Sequence, residues 1–235
     1  MKAKYQRRPG GFTLVELLVV IVIIAALAGL SAPVILKQRK KADQTEATSN
    51  VKQLHLALLD FDSDYGSFPD NNTAEDVKSA TGTSLDFGGS FSNDYFRQMI
   101  ATTAKAESTF WCKTGASPRK PDNDVSPGKA LDAGEVGFGY IMETQTDGQS
   151  ASSNSARPVC VTPLLKAQTT WEFDPEPYGD KAVVLRIDGS AKAETIRTDN
   201  HFIAVPGGFL QSQGEKSVWG DVNPVLRAPQ PRGSN

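Results

Sequence analysis

The chain has few of the residues that carry covalent or metal chemistry. Its 235 residues include two cysteines, Cys112 and Cys160, and two histidines, His55 and His201. A zinc site of nitrogen and sulfur ligands needs three or four such groups at close spacing, and these four lie far apart. There is no Gly-x-Ser-x-Gly elbow, no His-Glu-x-x-His and no glycine-rich phosphate loop. The hydrolases and nucleotide-binding proteins that carry those motifs are therefore excluded. Paired carboxylates leave no sequence trace, but nothing in the chain points to an enzyme. Charge of one sign is lacking as well. Lys and Arg number 25 against 27 Asp and Glu, a net charge of −2, so there is no basic footprint for nucleic acid. No internal repeat is present, which excludes a solenoid.

One stretch lacks charge almost completely. Between Phe12 and Leu36, Glu16 is the only ionisable residue. About 20 apolar residues cross a bilayer as a helix, so this run is long enough to span one. A carboxylate inside it is costly and calls for a partner. No Lys or Arg within the run can supply one, so the cation is expected from another chain or from a new amino terminus. A secretory signal is the competing reading, with Ala26-Leu27-Ala28 as its cleavage site. The Glu, and the apolar run that continues past Ala28, count against it. An uncleaved anchor is a further alternative.

The residues around this run resemble a known family. Gly11-Phe12-Thr13-Leu14-Val15-Glu16, behind a basic leader and ahead of the apolar run, is similar to the leader junction of type IV pilins and type II secretion pseudopilins. The resemblance implies cleavage between Gly11 and Phe12 by a prepilin peptidase, N-methylation of Phe12, and an assembly role for Glu16. Pro33 falls where many members carry a helix-kinking proline, and a proline inside a helix removes a hydrogen bond. Lys41-Ala42-Asp43-Gln44, Asn50-Val51-Lys52-Gln53-Leu54 and Asp64-Tyr65-Gly66-Ser67-Phe68-Pro69 look like the major, G-type pseudopilin, so the likeness runs over residues 8–70.

The resemblance also sets the expected topology and partners. Lys2, Lys4, Arg7 and Arg8 precede the span, and Lys37, Arg39, Lys40 and Lys41 follow it, so the positive-inside rule is close to a tie. The peptidase of the family works on the cytoplasmic side. The C-terminal part is then expected in the periplasm or outside, beyond a single pass of the cytoplasmic (inner) membrane. Loss of the leader takes four positive charges and moves the net from −2 to −6. The implied partners are copies of itself, other pilin-like subunits, the prepilin peptidase and an inner-membrane assembly platform.

Four segments follow: a leader over 1–11, a membrane half-helix over 12–36, an amphipathic half-helix over 37–66, and an extracytoplasmic domain over 67–235. Ala25/Gly29 and Ala28/Ala32 put small residues on shared faces, suited to close helix packing in lipid. Val51, Leu54, Leu58, Phe61 and Tyr65 recur at steps of three and four and form one apolar stripe. Gly66 supplies a cap and Pro69 blocks resumption. His55 reads as an exposed helical residue and His201 as isolated near the tail.

Residues 70–90 and 113–135 read as loops, with a short helix over Ser92–Thr103. Strands are expected at 136–142, 157–165, 181–187 and 190–196, the last two joined at Asp188-Gly189 as a hairpin. The expected fold is α+β and pilin-like, with a long N-terminal helix, its first half transmembrane, packed on a small antiparallel sheet. Residues 198–235 either wrap the domain or trail off.

Three readings stay open. Cys112 and Cys160 form a disulfide or remain two buried thiols. Trp111, Trp171 and Trp219 pack in the core or form an exposed patch of a tip subunit that binds a surface or cargo. No cofactor is read from the residues. The resemblance implies a calcium site in a C-terminal loop, with Asp199, Asp221 and Asn223 in suitable territory but no ligand set assigned. Asp60, Asp62 and Asp64 are not an EF-hand, because Tyr65 and Asn71 stand where that loop needs Gly and Glu.

Overall fold

A computed structural model of the chain describes residues 11–165 and 171–232. The leader expected over 1–11 lies outside the described residues except for Gly11. The chain divides into two units between Arg39 and Lys40. Helix α1, Leu14–Tyr65, is continuous across that division.

In the first unit every described residue is exposed, including each large apolar residue from Leu14 to Leu36. The second unit contains the rest of α1 and the domain. Here the stripe is buried: Val51, Leu54, Leu58 and Phe61 are inaccessible, with Ala47 and Ala57 beside them, and Tyr65 packs at the margin. The helix ends at Gly66, whose φ of 82° is open to a residue without Cβ. Its N–H donates to the Asp62 carbonyl at 2.7 Å.

The expected loop over 70–90 holds a helix instead, α2, Asn71–Thr81. Its caps explain it. Asp70 Oδ1 accepts from the N–H groups of Asn72 and Thr73 at 2.8 Å each, while Thr73 Oγ1 accepts from the Asp70 N–H at 2.9 Å. Gly82 closes the other end in the left-handed region. Helix α3, Ser92–Ala101, lies where a short helix was expected. Gln98 of α3 ties the two helices together, accepting from Thr73 Oγ1 at 2.7 Å and donating to the Asp70 carbonyl at 2.8 Å. A 3-10 turn, Glu107–Phe110, follows.

Five antiparallel strands form the main sheet: β1, Gly139–Met142; β2, Pro158–Thr162; β3, Lys181–Arg186; β4, Ala191–Thr195; and β7, Val225–Arg227, in the order β4-β3-β2-β1-β7. The pair β5, Ala204–Val205, and β6, Gly208–Phe209, stands apart. Side chains alternate across the sheet. Tyr140, Met142, Cys160, Val183 and Leu185 join the core with the α1 stripe. Ile141, Val161, Ala182 and Val184 face a second core with Ile203, Leu210, Trp219 and Leu226. The C-terminal segment therefore wraps: it covers the second face of the sheet and adds β7 to its edge. A helix on one face and an irregular segment on the other cover the inner strands, while the edge strand β4 stays largely exposed.

One expectation is corrected, and two open readings fall to one side. His55 is buried, with Nε2 2.9 Å from the Ile187 carbonyl, because the β3–β4 hairpin closes over it. Trp111 and Trp219 are buried, and Trp219 Nε1 donates to the Leu210 carbonyl at 2.8 Å. With Trp171 half-buried, the three form no exposed patch. Cys112 and Cys160 are both free thiols, not a disulfide. Cys112 Sγ lies 3.2 Å from Thr162 Oγ1, and Cys160 sits within β2. Burial pushes the Cys112 thiol up to about 12 and the Cys160 thiol further up still.

Candidate assembly helix and its amino-terminal cap

Among the described residues the first unit contains one structural element, the start of α1, and its chemistry is concentrated in six residues. Gly11 and Phe12 precede the helix outside any regular element, and Phe12 is 80% exposed. Among the described residues nothing would meet a side chain placed at Gly11.

Thr13 and Glu16 form a reciprocal cap. The Thr13 N–H donates to Glu16 Oε2 at 2.8 Å and the Thr13 hydroxyl donates to the same oxygen at 2.7 Å. The Glu16 N–H returns to Thr13 Oγ1 at 3.2 Å. This is the capping box, in which two helix-start N–H groups find side-chain acceptors. The carboxylate also sits at the positive end of the helix dipole. The pattern Thr-x-x-Glu ahead of an apolar run is its sequence signature, so the signal was present but was read only as an unpaired charge. One oxygen of Glu16 is thus hydrogen-bonded inside its own chain, while among the described residues its charge has no cation.

From Leu17 to Leu36 the helix is apolar on every side. Ser31, the exception, returns its hydroxyl to the Leu27 carbonyl at 2.7 Å, which hides the donor from a hydrocarbon environment. Pro33 lies inside the helix, so the Gly29 carbonyl lacks the N–H that any other residue at 33 would offer. The helix is long and apolar enough to cross a membrane. Among the described residues nothing covers it.

The remaining sequence candidates are dispersed. Asp199 is held by Arg197 through two contacts, 2.9 and 2.7 Å. Asn223 accepts from Gln213 at 2.7 Å, and with Asp221 it lines a shallow cavity beside Glu143 and Gln145. Asp199 is not brought to that cavity, so the three make no common ligand set. Asp62 accepts from the Ala151 N–H at 3.3 Å, and Asp60 and Asp64 are exposed.

The prokaryotic N-terminal methylation motif matches residues 6–32. The segment that carries it includes the junction, the capping box and most of the apolar run. Over its first quarter this chain is similar to pilins and pseudopilins. Relatives include the type II secretion system core protein G of Aeromonas hydrophila, 42% identical over 64 residues, which is 27% of this chain and 45% of that protein. The core protein G of Escherichia coli is 40% identical over 72 residues, 31% of this chain and 48% of that protein. The type IV major pilin protein PilA of Myxococcus xanthus is 35% identical over 68 residues, 29% of this chain and 31% of that protein. The matched part thus spans less than half the length of these relatives. No solved structure matches the chain. A long apolar N-terminal helix with a five-stranded antiparallel sheet makes the fold pilin-like α+β. None of the relatives' names denotes an enzyme.

Proposed function

We propose that this chain is a structural subunit of a pilin-type filament, with a type II secretion pseudopilus as the favoured system. The observation that carries the reading is a helix start apolar on all sides and capped by a carboxylate that has no cation among the described residues, inside the segment that matches the methylation motif. A prepilin peptidase cleaves Gly11–Phe12, and Phe12 becomes a methylated amino terminus. Before assembly, the apolar half of α1 is held in the cytoplasmic membrane with the rest of the chain beyond it. Thr13 keeps the carboxylate solvated by hydrogen bonds in the waiting subunit.

Assembly supplies the missing cation. The ammonium of Phe12 stays charged after one methylation, and Glu16 of a neighbouring subunit accepts it. Charge neutralisation in a low-dielectric bundle fixes the axial register between helices. The apolar faces and the Ala25/Gly29 and Ala28/Ala32 pairs then pack against copies of themselves or other pilin-like subunits. The reading assigns no catalytic residue. It disfavours a tip subunit that binds through aromatic side chains, because Trp111 and Trp219 are buried.

The test is mass spectrometry of the amino-terminal peptide from protein in its native host, paired with a Glu16→Ala variant. The expected mature chain starts at methylated Phe12, and Glu16→Ala enters the membrane but is lost from filaments. A chain starting at Met1 or after Ala28, or normal incorporation of Glu16→Ala, rejects the reading.

A further inference from the structure

Away from the helix, three carboxylates converge on one point of the domain. Glu107 opens the 3-10 turn that follows α3, and Asp122 and Glu135 come from the irregular segment 113–135. One oxygen of each lies within 4.8 Å of the others. Their exposure is graded: Glu107 is fully buried, Glu135 is half-buried and Asp122 faces solvent. Among the described residues none of the three is ion-paired. No short motif links them, and they lie in a different stretch of the chain from Asp199, Asp221 and Asn223.

The hydrogen bonds leave a deficit at the buried member. Glu107 Oε1 accepts from the Leu131 N–H at 2.6 Å, which fixes Leu131 at a φ of 49°. Glu107 Oε2 is buried and has no hydrogen-bond partner. A buried carboxylate oxygen without a donor is among the least tolerated groups in a protein interior. Asp122 spends Oδ1 on the Asp124 N–H and Glu135 spends Oε2 on the Asp132 N–H, both at 2.8 Å. The N–H groups of Asn123 and Asp122 also face the Glu107 and Glu135 carboxylates. Each carboxylate therefore has one oxygen holding the segment in shape and a second oxygen outside those bonds. Burial first, and then the neighbouring carboxylates, push Glu107 above the usual carboxylate range.

Two remedies exist for three clustered carboxylates: protonation, or a cation among them. Ligand type selects the cation. Three carboxylates supplied by the protein suit calcium, whereas magnesium keeps most of its waters and takes one or two carboxylates. The donor set is all oxygen, which suits a hard cation and not zinc or copper. The exposed Asp122 side leaves an entry path and room for water ligands.

We propose that Glu107, Asp122 and Glu135 hold a calcium ion that fastens segment 113–135 to the domain. Glu107 is the buried anchor, and Asp122 and Glu135 close the site from the segment. The ion takes the place of the absent donor at Glu107 Oε2 and removes the repulsion among the three. The site is independent of the filament reading, since it requires nothing from α1.

The test uses the full chain in detergent micelles, stripped with chelator. Calcium is titrated calorimetrically with magnesium as comparator, and trypsin cleavage at the exposed Arg119 and Lys129 is followed alongside. Calcium is expected to bind, to slow cleavage at these sites about tenfold, and to outcompete magnesium. Asp122→Asn and Glu135→Gln should each weaken calcium at least about tenfold while their chelator-treated melting curves match the parent. Two outcomes overturn the proposal. One is no calcium binding at millimolar concentration. The other is binding that both variants leave unchanged, which would put the ion elsewhere. If one variant unfolds, the other still decides.

Discussion

Helix α1 is one backbone with two kinds of surface. Up to Leu36 its large apolar side chains are all exposed: Leu14 is 79% exposed, and Val20, the least, still 46%. From Ala47 to Phe61 the apolar side chains on one face are inaccessible, and Leu56 on the opposite face is 63% exposed. The first half is the more hydrophobic and the less buried. Hydrophobicity alone therefore does not say what a helix packs against. An all-round apolar surface has no preferred side and suits lipid or copies of itself, whereas a stripe of period 3.6 selects one face for one sheet.

The sharpest test of that contrast is one truncation in each half. Phe61→Ala should cost about 3–5 kcal/mol of domain stability, because the ring is fully buried and stacked on Tyr65 at 4.6 Å. Ile23→Ala should leave the same unfolding transition within about 0.5 kcal/mol, since the side chain touches nothing in its own domain. Urea unfolding of the full chain in detergent, read by Trp fluorescence, measures both. Equal losses would mean that the first half is folded onto the domain and would collapse the distinction.

A second test uses pH. The first half has one ionisable residue, so an alkaline loss of stability must arise in the domain. Burial holds the Cys112 thiol up to about 12, against about 8.5 for an unfolded cysteine. The folded state thus binds the proton more tightly than the unfolded state. This contribution is fully present below about pH 8.5 and is lost as pH rises toward 12. Wild type should lose several kcal/mol over that range, with Cys160, Tyr140 and Tyr178 adding to the slope because burial raises them too. Cys112→Ala should decline less steeply. Equal slopes would show that Cys112 is not sealed.

How far the molecule could be read from its sequence follows the same division. The stripe, the Gly66 cap and the Asp188-Gly189 hairpin were legible because each is local: a period, a glycine at a helix end, a turn pair. Helix α2 was missed because only Thr73 and Val77 of its residues are buried, too few to set a period. Its caps, Asp70-x-x-Thr73 and Gly82, were the available signal. The wrap of the C-terminal segment rests on Trp219, Leu226 and the three residues of β7, whose partners lie far back in the chain. His55 was misjudged for the same reason: its partner Ile187 is 132 residues away. At the candidate assembly helix, the junction and the charge were legible. The Thr13–Glu16 cap needed only a familiar pattern read as hydrogen bonding and not as charge. The Glu107, Asp122 and Glu135 cluster had no such pattern, since Glu107 meets its backbone partner Leu131 across 24 residues of chain.

The smallest predicted effect separates two roles of one residue. If Glu16 serves only to cap α1, then Thr13→Ala and Glu16→Gln should behave alike. Both weaken the box, and both fray the first helical turn without touching the domain. If Glu16 also takes a neighbour's ammonium, the two diverge. Thr13→Ala keeps the carboxylate and should still enter filaments, with faster amide exchange at the helix end as its main defect. Glu16→Gln keeps hydrogen-bonding capacity but loses the charge, and should be excluded. Amide exchange at Leu14–Leu17 and co-assembly with wild type read the two properties separately. Matching exclusion of both variants would make the cap itself the assembly determinant, and the first half of α1 would then differ from the second in what starts the helix as well as in what covers it.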